Sequence, residues 1–200
     1  MANADQKIAR AEQIFGHVFA NKLLCAEAIQ MAAPQALLAV AGAFHVIDNN
    51  KRLAVLGDIA LAQALCKMWY QARNDEGKLQ PPSAWTDIRN QILGNASLTR
   101  RGEEVGIVSC IVMSDGNRGL ATPKMVATTF EALVGAIYED GGEEAVIRVV
   151  EHLELNQHPF LMVTFRFLPS PRAETPRLTN MPSFRSLTRG TLGASLRRLD

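Results

Sequence analysis

Residues 127–142 read ATTFEALVGAIYEDGG, and this stretch decides the fold class. Apolar side chains recur at helical spacing from 125 to 138, and Asp140-Gly141-Gly142 supplies the residues that close a helix. A further amphipathic helix is expected over 143–155. Working back, 51–72 reads as one long helix through Leu53, Leu56, Ile59, Ala60, Ala64 and Met68, ended by Asn74, Asp75, Glu76 and Gly77. Gly57 inside it is a mild penalty to helix formation.

The same period appears in Ile8, Ala11, Ile14 and Phe15, again in Leu23, Leu24, Ala28 and Ile29, and again over 37–44. Pro81-Pro82 breaks the chain, and Ser83 or Thr86 can cap a helix through Ile88, Ile92 and Leu93. A short helix is expected over 98–105. Only 107–113, IVSCIVM, is β-prone, as a strand or an apolar connector ahead of the turn SDGNRG. The expected class is all-α, with no internal repeat.

With 200 residues and 48% apolar composition the chain can bury one substantial core. Its net charge of +1 argues neither for nor against a polyanionic partner, but the charge is unevenly spread. Residues 160–200 hold seven arginines, no lysine and two acids, a net of +5, which leaves −4 for the first 159. Five prolines between 159 and 182 arrive without apolar periodicity, so 1–155 is expected to be one domain and 156–200 a Pro/Arg-rich, mostly disordered tail. Its first part, FLMVTFRFL, is apolar enough to dock on the body. Cys25, Cys66 and Cys110 are too few and too scattered for a disulfide framework and read as free thiols. MANADQKIARAEQ has neither a secretory signal nor a membrane anchor, so an intracellular protein with no membrane partner is expected.

Two acids lie inside otherwise apolar helical runs, Asp58 in LAVLGDIALAQAL and Glu131 in ATTFEALVGAIY. A buried, unpartnered carboxylate costs several kcal/mol, so each needs a cation, a donor network or a route to water. A divalent metal is one such cation. Alternatively Asp58 is a local cap after Gly57, and Glu131 pairs with Arg52, Lys51 or a backbone donor.

Segment NKRLAVLGDIALAQAL resembles the ribonuclease III signature, a helix bearing E-x-x-E-F-L-G-D, and ATTFEALVGAIYEDGG resembles that family's second motif, A-D-x-F-E-A-L-x-G-A-I-Y-x-D-G-G. IFGHVFANKLLCAEAI is similar to its opening helix, Glu76-Gly77 with Leu79 to its E-G-x-L element, and 92–98 with Gly106 to its N-x-x-L region. The likeness runs from 8 to 155 in order. It implies a helical nuclease domain in which carboxylates hold Mg²⁺ or Mn²⁺ to hydrolyse double-stranded RNA, with Asp58 and Glu131 as catalytic residues and Asp58, Glu131 and Glu76 as metal ligands.

Set against that pattern, the two signature glutamates fall on Lys51 and Ala54 and the second-motif aspartate on Thr128. Two of the four core carboxylates, those at 54 and 128, are thus replaced. Asp48, one turn before Lys51, is a candidate to compensate. With Lys51, Asp58 and Glu131 as its only charges the set carries −1, so affinity for a hard cation falls and the Lys51 ammonium can take that space. The resemblance also implies a two-fold dimer in which a signature phenylalanine enters a socket on the partner. Val55 stands there, a loss on the order of 1 kcal/mol per subunit. The 45 residues after Leu155 are not expected to form the double-stranded RNA-binding domain that many members carry.

The leading expectation is a degenerate ribonuclease III domain that binds duplex RNA or a ribonucleoprotein without efficient cleavage of its own and with no metal required. The alternatives are a divergent Mg²⁺- or Mn²⁺-dependent endoribonuclease, alone or in a heterodimer with an intact relative, and a protein-interaction or ribosome-associated structural module.

Overall fold

The computed structural model describes residues 4–114, 116 and 120–161. The expected tail beyond 161 and most of the turn at 114–119 lie outside these. Six helices carry the described chain: α1 (Asp5–Phe15), α2 (Lys22–Ile29), α3 (Lys51–Gln71), α4 (Pro82–Ile92), α5 (Asn95–Val105) and α6 (Pro123–His152). Each buries its periodic apolar face, and Ile8, Ala11, Ile14 and Phe15 of α1 do so as the spacing dictates. Pro82 itself opens α4 in place of a Ser83 or Thr86 cap, because proline's missing N–H is not needed in the first turn. Within α6 the backbone leaves helical geometry at Gly142 (φ 70°, ψ −169°), the break expected from Asp140-Gly141-Gly142.

Residues 37–44 are not helical. They belong to an antiparallel hairpin, β1 (Ala36–Val40) and β2 (Ala43–Ile47), with Leu38 opposite His45 and Ala39 opposite Phe44. Ala41 (φ 51°) and Gly42 (φ 80°) make the two-residue turn, both in the left-handed region that a tight hairpin requires. The apolar run fits both periods, and the turn at 41–42 together with burial of Leu38, Val40 and Ile47 selects the strand. The β-prone 107–113 forms a 3₁₀ turn, Ile107–Cys110, and then one parallel bridge: Val112 donates to the Ile29 carbonyl (2.8 Å) and accepts from the Met31 N–H (2.9 Å).

The centre of the fold is α3 laid on α6. The two run in the same direction, since Asn50 meets Thr129 at one end and Lys67 meets Glu143 at the other. They approach at Gly57 and Gly135: a Cβ on Gly57 would lie 1.8 Å from the Glu131 carbonyl oxygen, and one on Gly135 would lie 2.1 Å from that of Leu53. Gly57 is therefore required by the helix crossing, beyond the mild penalty its helix propensity suggests. By length and composition α3 could cross a membrane, yet its inner face of Leu53, Ala60, Leu61, Ala64 and Leu65 is buried in this core.

Candidate functional site

Side chains at i, i+3, i+4 and i+7 share a helix face, so α3 aims Lys51, Ala54, Val55 and Asp58 to one side. Thr128 and Glu131 of α6 share a face by the same rule, and these six residues line one open cleft of about 300 Å³. The glycine crossing lies directly beneath it and holds the two carboxylates in electrostatic range. Burial first, and the Asp58 charge second, push the Glu131 carboxyl up to about 7. Among the described residues neither carboxylate makes a side-chain hydrogen bond or ion pair, so the alternative pairing of Glu131 with Lys51 or Arg52 is not formed. Arg52 instead lines a second cleft of about 380 Å³ with Leu24, Glu27, Leu53, Leu56 and Glu139, where burial and then Asp48 raise the Glu27 carboxyl and Arg52 opposes them.

Glu76 stands apart from this pair. It lies in the turn after α3, where its carboxylate is largely exposed and pairs with Lys78 Nζ at 2.7 Å. Asp48 is also outside the cleft and accepts the Asn49 N–H at 2.7 Å. No group of three or more His, Cys, Asp or Glu side chains among the described residues is placed to hold a metal ion. The cleft offers two carboxylates and a threonine hydroxyl beside a lysine. That set fits at most one hydrated divalent ion, since Mg²⁺ can be held by one or two carboxylates plus substrate phosphate.

Asn50, which sequence reasoning did not single out, and Asp140, read there only as part of a helix stop, brace the two helices that carry the cleft. Fully buried Asn50 donates through Nδ2 to the Ala28 carbonyl (3.0 Å) and to Thr129 Oγ1 (3.4 Å), and that hydroxyl donates to Met31 Sδ (3.3 Å). A polar residue directly before a long apolar helix was the available signal. Asp140 accepts from the Ala20 and Asn21 backbone N–H groups and meets His17 Nε2, each at 2.9 Å, which ties α6 to the α1–α2 turn. Burial alone would raise its carboxyl, but the Asn21, Ala20 and His17 donors outweigh burial and hold it below the usual carboxylate range.

Past the cleft, α3 turns Val55 (65% exposed), Ile59 (58%) and Tyr70 (74%) outward, with half-buried Ala62 and Cys66 between Ile59 and Tyr70 at spacings of three and four. At its far end a pocket of about 220 Å³ is lined by Trp69, Tyr70, Arg73, Leu79, Gln80 and Pro82. Cys66 is partly exposed, Cys25 and Cys110 are buried, and all three thiols are free.

A family model described as ribonuclease-III-like matches residues 41–157. Ribonuclease 3 of Rhodopirellula baltica is 30% identical over 149 residues, covering 72% of this chain and 51% of that protein. Ribonuclease 3 of Pelotomaculum thermopropionicum is 35% identical over 103 residues, covering 49% and 40%. The chain thus spans about half the length, or less, of these curated relatives. A solved nuclease domain of ribonuclease III from Campylobacter jejuni, described as flexible in a region involved in dimer formation, superposes with a TM-score of 0.59 at 21% identity, covering 73% of this chain and 94% of that domain. This likeness establishes the shared fold.

Proposed function

Because this chain belongs to the ribonuclease-III-like family, we propose that it binds double-stranded RNA and serves in RNA processing without efficient cleavage of its own. The observation that carries this reading is the cleft itself. Asp58 and Glu131 share it with Lys51, Ala54 and Thr128 in place of further carboxylates. Asp58 and Glu131 are the residues that would hold Mg²⁺ or Mn²⁺. Such an ion neutralises charge on a phosphodiester and lowers the pKa of the attacking water. With two acids the ion is held loosely, and cleavage by this chain is slow or absent.

The protein acts as a homodimer. The exposed stripe on α3 needs a partner, and a two-fold axis across the helix lays two copies of α3 antiparallel, with Val55 of one facing the pocket at Trp69 and Tyr70 of the other. Asp58 lies 13 residues before Gln71, about 20 Å along α3, so Glu76 reaches a carboxylate pair only in the cleft of a second copy. In that arrangement Glu76 adds a third ligand. An intact relative in place of one copy would supply a fuller set.

A second reading, a reduced-site endoribonuclease, is favoured by one observation: Asp58 and Glu131 share the cleft with no ion-pair partner among the described residues, which calls for a cation. Incubating the purified protein with long duplex RNA in Mg²⁺ or Mn²⁺, beside Asp58→Asn and Glu131→Gln, separates the two. Binding without cleavage is the expected result. Cleavage that disappears in both variants would establish the endoribonuclease, and neither binding nor cleavage would point to a protein-interaction module.

A further inference from the structure

After α6 the chain lies against α4 and α5 and is pinned there by His158, a titratable side chain only 6% exposed. The local sequence sets this up. In His158-Pro159-Phe160-Leu161 the Leu161 N–H donates to the His158 carbonyl (2.8 Å), a β-turn with proline at its second position, where a fixed φ is wanted. The turn brings the Phe160 N–H to 3.2 Å from His158 Nδ1 and the two rings to 5.4 Å between centroids. A backbone N–H can only donate, so Nδ1 is the unprotonated nitrogen. The proton of the neutral ring then sits on Nε2, which donates to Gln91 Oε1 of α4 at 3.3 Å. Leu161, at the end of the turn, is buried against the core.

An imidazolium carries a proton on both nitrogens, so protonation sets a second N–H against that of Phe160 and leaves a charge nearly out of reach of water. The charged groups around the ring do not offset this. On α4, Asp87 favours the charged form but is exposed, one turn before Gln91, and Arg89 lies half a turn off that face. On α5, Arg100 opposes a second cation, and Arg101 and Glu104 pair with each other at 3.3 Å. Glu154, after α6, lines the same cavity and is exposed. Burial outweighs Asp87 and holds the His158 ring below its ordinary 6.5.

We infer that His158 is an acid-released latch: neutral, it fastens the segment 156–161 to α4, and protonated, it lets that segment go while α6 stays folded. The latch closes a cavity of about 360 Å³ between α4, α5 and the segment itself, whose Leu155, Gln157 and His158 form one wall. Release opens that wall. The arginine-rich sequence 160–200 begins in the same turn, so its first two residues are fixed or free according to the charge on one ring. A ring whose folded value is lowered stabilises the docked state above 6.5, and that stability is lost as pH falls from 6.5 to the folded value.

The test is hydrogen exchange of the full chain, followed amide by amide from about pH 8 to about pH 5 and corrected for the intrinsic pH dependence of the reaction. The Phe160 and Leu161 amides should be protected at the upper end and lose protection below 6.5. The loss should reach up to about tenfold per pH unit, the linkage of one proton, while the amides of α6 keep their protection. His158→Asn retains a side-chain acceptor for the Phe160 N–H and cannot titrate, so its protection should not vary with pH. Asp87→Asn removes the acid that favours the charged ring and should move the loss to lower pH. Protection at 160 and 161 that stays flat in the wild type, or that falls equally in His158→Asn, overturns the proposal. So does an unmoved midpoint in Asp87→Asn, or a loss shared by α6, which would be acid unfolding of the whole helical body.

Discussion

At Glu131 two effects push the same way, partial burial and the facing Asp58, and both favour the protonated carboxyl. Its folded pKa of about 7 lies above the ordinary 4.5, so the folded state binds this proton more tightly than the unfolded state does. The stability it contributes is fully present below 4.5 and is lost as pH rises to about 7. Glu131→Gln is therefore expected to raise the melting temperature at about pH 8 and to leave it close to wild type at about pH 4, because the neutral acid and the amide then resemble each other. Melting curves at the two pH values check this, and a gap that does not change with pH would refute it. Asp140 carries the opposite sign. Its lowered pKa gives stability that is present above the ordinary carboxylate range and lost as pH falls through the folded value.

Between elements, the α3–α6 crossing is set by two glycines rather than by large side chains. Replacing Gly57 with alanine gains up to about 1 kcal/mol of helix propensity but forces a methyl against the Glu131 carbonyl. Overpacking of this kind costs about 1–3 kcal/mol or more, so Gly57→Ala is expected to lose on the order of 2 kcal/mol in urea unfolding. The same shift separates α6 from α3 and should weaken the coupling between Asp58 and Glu131. Equal or greater stability in the alanine variant would mean that the helices do not touch there. The helices themselves were legible because each must bury one face, and that need writes a period into the sequence. The hairpin at Ala36–Ile47 was not, since five-residue strands are too short to separate the two periods and the deciding fact, positive φ at Ala41 and Gly42, is a backbone property. In the cleft, Asp58 and Glu131 were legible as acids in apolar runs. Their freedom from Lys51 and Arg52 depends on helix geometry that spacing alone does not fix.

Across the whole molecule, the outward face of α3 ties assembly to the cleft. Asp58 sits between Val55 and Ile59, so a partner that covers that stripe also frames the carboxylates, and in the proposed dimer it is the second copy that would bring Glu76 toward them. Val55 leaves less apolar area to bury than the phenylalanine of the resembling motif, by on the order of 1 kcal/mol per copy. Two copies double the effect, so Val55→Phe is expected to tighten the dimer about 30-fold in sedimentation equilibrium. Val55→Asp should dissociate it, because a charge would then be desolvated at the interface. The separate unfolding stability of each chain should change little, since Val55 is exposed in the single copy. If the phenylalanine and aspartate variants associate as the wild type does, the stripe is not the dimer contact, and Glu76 then has no route to the carboxylate pair.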